Sequence, residues 1–406
     1  MLRSAALAAL SLAFAPVAMS APQTINCTGD WAQTIESLKP RPEGPATLSA
    51  IRCLPLPQSG YPVSLSPDGS KIFSFHSIEG LWIGGLNRTD ASQTFPGRVR
   101  SSVFMNKTMP FEWLADSSEV IGVKRNSNKG GFALGPLQPY LFSNDGRQTR
   151  LPALSHPNGP LDEIFWIGGA GLAFATFGTK GAYYNPEHED PNPTISLVDA
   201  KAGQVLEDVE TAAIPGLPSY KNLIGVSSRI DKSGRARVLT DWLPDTWMLW
   251  DQGDSPRILP IHNKTAKASY TLSMDGTKVL IMGNLSATGW ICEFHNPCPS
   301  PTPQSGMIAE LRDVSSGRLV WSIMGTANQF SNSDLPAISP DDQYALITMP
   351  GEHEDIGLVS MTDGSVLQRF RMPGWGSLTL GFSSDGKQAW ITGGATMAIF
   401  NISPQK

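Results

Sequence analysis

Short apolar stretches with period-two alternation, each closed by a polar turn, run along most of the chain. The clearest phrase joins two such stretches through a Ser-Pro-Asp-Gly turn, as Val63-Ser64-Leu65-Ser66-Pro67-Asp68-Gly69-Ser70-Lys71-Ile72-Phe73. It returns around Ser273-Met274-Asp275-Gly276, Ser339-Pro340-Asp341-Asp342 and Ser383-Ser384-Asp385-Gly386. Alternation on both sides predicts strands, Pro presets φ at the first turn position, and Asp-Gly accepts a tight backbone, so each phrase predicts a β-hairpin. A second hairpin follows, with turns at Asn144-Asp145-Gly146, Lys201-Ala202-Gly203, Ser315-Ser316-Gly317 and Thr362-Asp363-Gly364. Four short antiparallel strands in units of roughly 40 to 50 residues are the pattern of a β-propeller blade.

The expected fold is therefore all-β, a seven-bladed β-propeller, with six or eight blades as the alternatives. Blades are placed at 61–98, 110–152, 161–210, 218–262, 267–325 and 330–373, with a last one from 376. That last unit has three strands before the chain reaches Lys406. The stretch from Ala46 to Leu54 has strand character and is expected to complete it, joining the two ends of the chain and removing an open edge. The 39 Gly and 33 Pro agree with this reading, since no long stretch keeps a helical period uninterrupted by them.

The N-terminus changes the picture of location. Met1-Leu2-Arg3, an apolar run from Ala5 to Ala18 and Ser20-Ala21-Pro22 read as the basic region, apolar region and small-residue site of a signal peptide. The run contains Pro16 and is shorter than the roughly 20 apolar residues of a spanning helix. The domain reading is thus 1–20 signal peptide, 21–45 N-terminal extension and 46–406 propeller. The protein is expected to be secreted or periplasmic, without a membrane span, and monomeric. Four cysteines suit an oxidising compartment and fall into two pairs, Cys27 with Cys53 and Cys292 with Cys298, so two disulfides are expected. His295 between the second pair raises zinc as the alternative, but no second ligand pair stands nearby. Sequons at Asn26, Asn87, Asn106, Asn263, Asn284 and Asn401 matter only if the host glycosylates exported proteins.

The formal net charge of −5, one unit more negative once Arg3 is removed, comes without a basic cluster, which sets nucleic acid aside as a partner. The phrase from Ser66 to Ile72 resembles the repeat of the WD40-like propellers of exported bacterial proteins, the TolB-type group. That resemblance covers most of the chain as architecture and implies a protein-binding platform, often periplasmic. Some such propellers precede a peptidase domain; this chain has no Gly-x-Ser-x-Gly elbow, so none is expected here. Asp313-Val314-Ser315-Ser316-Gly317-Arg318-Leu319-Val320-Trp321 resembles the blade-docking repeat of quinone-dependent dehydrogenases, whose Trp packs between blades; the other units lack the Trp. Trp247-Met248-Leu249-Trp250 reads as a core strand in preference to a sugar-stacking platform.

Candidate site residues come from one repeated tetrapeptide, Glu187-His188-Glu189-Asp190 and Glu352-His353-Glu354-Asp355. Both copies are expected between the second and third strands of their blades, on one rim and about 150° apart around the axis. Insertions at 126–138 and 285–305, the latter with His295, share that address. Loops on one face are where a propeller's partner is expected. Solvated acidic loops are the plainest reading of the two copies and a partner contact the next. A divalent metal held by imidazole and carboxylates is the third; no other cofactor is expected. The functional expectation is a non-catalytic propeller binding a protein or peptide through that face. The alternative is a propeller enzyme, a hydrolase, lyase or oxidoreductase, with a carboxylate or metal site near the channel mouth and Glu187, His188, Glu352 and His353 as nominees.

Overall fold

The computed structural model describes residues 23–24, 46–56, 63–76, 80–86, 92–95, 111–125, 137–177, 194–218, 223–242, 246–261, 269–283, 304–327, 335–349, 355–371, 378–393 and 396–404. Seven antiparallel sheets form a ring, one blade each, and a single turn of 3-10 helix at Thr211–Ala213 is the only helix among the described residues. The first strand of each blade lies nearest the axis and touches the first strand of a neighbour, as Leu223–Ile230 of blade 4 does with Ser269–Leu272 of blade 5.

The expected closure is present. Ala46–Pro55 pairs antiparallel with Thr396–Pro404 as the outermost strand of blade 7. The core confirms that the ring is shut, because it divides into seven apolar clusters and each lies between two adjacent blades. The cluster joining the ends of the chain sets Leu54, Trp390, Met397 and Ile399 of blade 7 against Val63, Leu65 and Ile72 of blade 1. One pairing went unforeseen: Gln23–Thr24 adds in parallel to the outer strand of blade 6, Val366–Arg371.

The Ser-x-Asp-Gly turns owe their recurrence to a shared hydrogen-bond circuit. In blade 5, Ser273 is fully buried; its Oγ donates to Asp275 Oδ1 (2.7 Å) and accepts the N–H of Lys278 (2.9 Å). Asp275 Oδ1 in turn accepts the N–H of Thr277, and Gly276 takes a positive φ of 68° that a side chain would strain. Ser66, Ser339 and Ser383 repeat the circuit. Ser273→Ala leaves the Lys278 N–H without its acceptor, and we expect a loss of about 1–3 kcal/mol in chemical denaturation. A loss below about 0.5 kcal/mol would show that the turn holds without the circuit.

The tryptophan of the docking-like phrase does bridge two blades. Trp321 is buried, its indole N–H donates to the Met361 carbonyl of blade 6 (3.0 Å), and the ring lies over Gly364, where a Cβ would meet it at 2.8 Å. Trp247, Met248, Leu249 and Trp250 are all buried in a strand, as read from sequence.

Candidate functional site

The direction of the strands sorts the connections by face. The first-to-second and third-to-fourth strand turns lie at one end of the ring, and the second-to-third strand connections lie at the other, together with the blade-to-blade links. The longest second-to-third stretches, 178–193 and 284–303, leave from that second end. Residues Glu187, His188, Glu189, Asp190, Glu352, His353, Glu354 and His295 fall in second-to-third strand connections, outside the described residues; Cys27, Cys292 and Cys298 also lie outside the described residues. The flanking strands do fix the address of both tetrapeptides. Leu172–Phe177 and Thr194–Asp199 bracket the first, and Tyr344–Met349 and Asp355–Ser360 bracket the second.

Asp355 is the one member whose side chain is placed. It opens the third strand of blade 6, has no exposed surface and is ion-paired to Arg369 (Nη2 to Oδ2, 2.6 Å) on the adjoining strand. Its carboxylate thus belongs to the sheet. Cys53 sits on the closing strand opposite Ala398.

At the end of the second strand of blade 3 stands a residue that sequence reasoning passed over. Ser155–His156 forms a small hairpin with the start of Gly159–Ile167, which carries His156 onto the end of blade 3. Its ring stacks on Phe177 with centroids 5.0 Å apart, and Phe177 is the last residue before 178–193. Nδ1 accepts the N–H of Asn158 (3.1 Å), which leaves the ring proton on Nε2, facing Asp208 Oδ2 at 3.1 Å. No pattern in the sequence around Ser155-His156-Pro157 marks this arrangement, because Phe177 and Asp208 come from other strands and only Asn158 is local.

The opposite face closes on itself. Two residues hold the glycine position of a turn with positive φ, Ser117 (60°) and Asp342 (58°), and both reach a neighbouring blade. Ser117 Oγ accepts the N–H of Asp68 (2.9 Å), and its carbonyl accepts Lys71 Nζ (3.1 Å). The Asp342 carboxylate accepts the N–H groups of Met274 (2.6 Å) and Asp275 (2.9 Å). Ser384 Oγ donates to the Pro67 carbonyl, the Ala115 N–H to the Gly169 carbonyl, and Arg237 Nη1 to the Gly276 carbonyl. The strain of the two positive φ values is thereby offset by hydrogen bonds between turns.

Within this ring, near the axis, sits a charged trio. Glu112 lies on the first strand of blade 2, Arg229 on that of blade 4 and Asp342 in the first turn of blade 6. Blades 2 and 4 are not neighbours, yet Glu112 and Arg229 feel each other's charge across the Gly168-Gly169 turn of blade 3. A Cβ on Gly169 would come within 2.8 Å of the Trp113 carbonyl, so glycine is required for the turn to come this close. Burial pushes the Glu112 carboxyl up to about 7, against the N–H groups of Gly169 and Gly168 and the charge of Arg229. Burial also lowers the Arg229 guanidinium, with Glu112 and Asp342 opposing, and raises Asp342. By surface area both Glu112 and Arg229 keep some exposure, whereas their charged heads are enclosed. Enclosure governs the pKa, because Glu112 Oε2 and Arg229 Nε have almost no accessible surface and make no hydrogen bond. Sequence reading missed the trio because its members are far apart in the chain and each looks like an ordinary surface charge.

Among the described residues no group of three or more His, Cys, Asp or Glu is arranged to hold a metal ion. Comparison of the chain with models of known protein families and with curated proteins finds no match, so the functional reading rests on the ring and its two unlike faces.

Proposed function

We propose that this chain is an exported, non-catalytic propeller of the WD40-like, TolB-type kind that binds a protein or peptide through its loop-rich face. The observation that carries this reading is the asymmetry of the ring. One end is knitted shut by turns that satisfy their own and each other's polar groups, and the longer connections all leave from the other end. Their acidic residues, Glu187, Glu189, Asp190, Glu352 and Glu354, favour a partner with basic character.

Capture from a native extract tests this. The full chain is compared with a variant carrying Gln or Ala at Glu187, His188, Glu189, Asp190, Glu352, His353 and Glu354, and with a Lys387→Ala control on the closed face, where Lys387 is exposed. The reading expects a partner retained by the full chain and the control, lost by the loop variant, and indifferent to chelator. Retention by the loop variant would sink it. Loss on chelation would turn attention to a metal in those loops. The second reading, a propeller enzyme, draws on Glu112, whose carboxyl near 7 is in the range useful for general acid–base work. A hydrolytic activity abolished by Glu112→Gln, with the fold intact, would favour it.

A further inference from the structure

The large apolar side chains most exposed among the described residues are Leu206, Ile258, Leu319, Val320 and Met324. All five lie on the outermost strands of the consecutive blades 3, 4 and 5, and three share one strand, Leu319–Ala327. Met324 is the most open of them, at 52%. This strand pairs on one side with Gln304–Asp313, and no other described strand pairs with its far side. Its sequence, Leu-Val-Trp-Ser-Ile-Met-Gly-Thr-Ala, contains no charge and no proline, the usual guards of an open edge. The outer strand of blade 3 is guarded by Glu207, Asp208 and Glu210, and that of blade 6 is covered by Gln23–Thr24. The second case shows that the rim of this ring accepts an added strand.

We infer that Leu319–Ala327 is a dimerisation edge, pairing antiparallel with the same strand of a second copy of this chain. A two-fold contact sets a strand against its own image, so it suits only a strand that is its own complement. Trp321 to Ala327 runs without a bulge of its own. A two-fold axis at Met324 sets Met324 against Met324, Ser322 against Thr326 and Ile323 against Gly325, pairs with no charged residue among them. The image of the blade 3 edge would set carboxylate against carboxylate. The net charge of −5 opposes association weakly, since charges beyond about 8 Å are screened at physiological salt. The result is a continuous sheet through two blades that sets Met324, the most exposed apolar side chain of the strand, against its own image and leaves both faces of each ring clear. The sequence alone points to a monomer because exposure on a blade rim is not readable from it.

The test uses the symmetry of the contact. Sedimentation velocity over a range of concentrations is expected to show a monomer–dimer equilibrium for the full chain. Met324→Lys and Met324→Glu should each weaken it by about tenfold or more, since each sets like charges face to face. An equimolar mixture of the two variants should recover the dimer, because residue 324 then meets its opposite. Amide exchange along 319–327 should slow with concentration in the full chain, a readout that needs no variant to fold. A monomer at every concentration would overturn the inference, and so would a dimer that both variants preserve or a mixture that fails to recover it.

Discussion

Arg369→Ala is expected to destabilise the protein by about 3–5 kcal/mol, because it removes a guanidinium paired with a fully buried carboxylate. Asp355 has no exposed surface, and its Oδ2 lies 2.6 Å from Arg369 Nη2 across adjacent strands of blade 6. The same strand, Val366–Arg371, carries Gln23–Thr24 on its outer side, so its loosening also frees the N-terminal pairing. Asp355→Asn combined with Arg369→Gln removes both charges and should lose less than Arg369→Ala alone. Denaturant unfolding of the three variants checks the order, and a change below about 1 kcal/mol for Arg369→Ala would place the pair among merely incidental contacts. The consequence for function is direct. Asp355 is spelled like a site residue and behaves as a structural one, so its substitution in a loop scan would report on folding.

Glu112 should make the ring less stable as pH rises. Its carboxyl is raised from the ordinary 4.5 to about 7, so the folded protein holds a proton that the unfolded chain releases. The stabilisation is full below about pH 4.5 and is lost as pH rises through about 7, a swing of about 3 kcal/mol. Glu112→Gln keeps an acceptor for the Gly168 and Gly169 N–H groups and cannot ionise. It should match the parent near pH 4.5 and exceed its stability by about 3 kcal/mol at pH 8. The charged neighbours Arg229 and Asp342 are present in both proteins, so the difference between the two pH profiles isolates Glu112. Parallel profiles would show that Glu112 is ionised across the range, with Arg229 outweighing burial.

The local chemistry of this chain explains why so much of the fold could be read directly. The Ser-x-Asp turn is specified by residues within six positions of each other, and the same circuit of Ser hydroxyl, Asp carboxylate and the N–H five residues after the Ser forms at Ser66, Ser273, Ser339 and Ser383. Repeating it sets the strand count, and the strand count sets the ring. The closing strand was legible for the same reason, since Ala46 to Leu54 alternates like its partners while the last unit lacks one strand. Gln23–Thr24 was not, because two residues added to an edge leave no periodic signal.

Sites are a different matter. The sequence by itself determined the blades, the turns and the shared address of the two Glu-His-Glu-Asp copies, all of which follow from contacts between residues close in the chain. Only the tertiary structure decided that Asp355 faces Arg369, that His156 stacks on Phe177, and that Arg229 feels the charges of Glu112 and Asp342 from two other blades. It also decided that the uncharged strand Leu319–Ala327 lies on the rim with Met324 exposed. Those outcomes depend on which strands the ring brings side by side and how deeply it encloses a charge, and neither burial nor cross-blade distance is encoded in the spacing of residues along the chain.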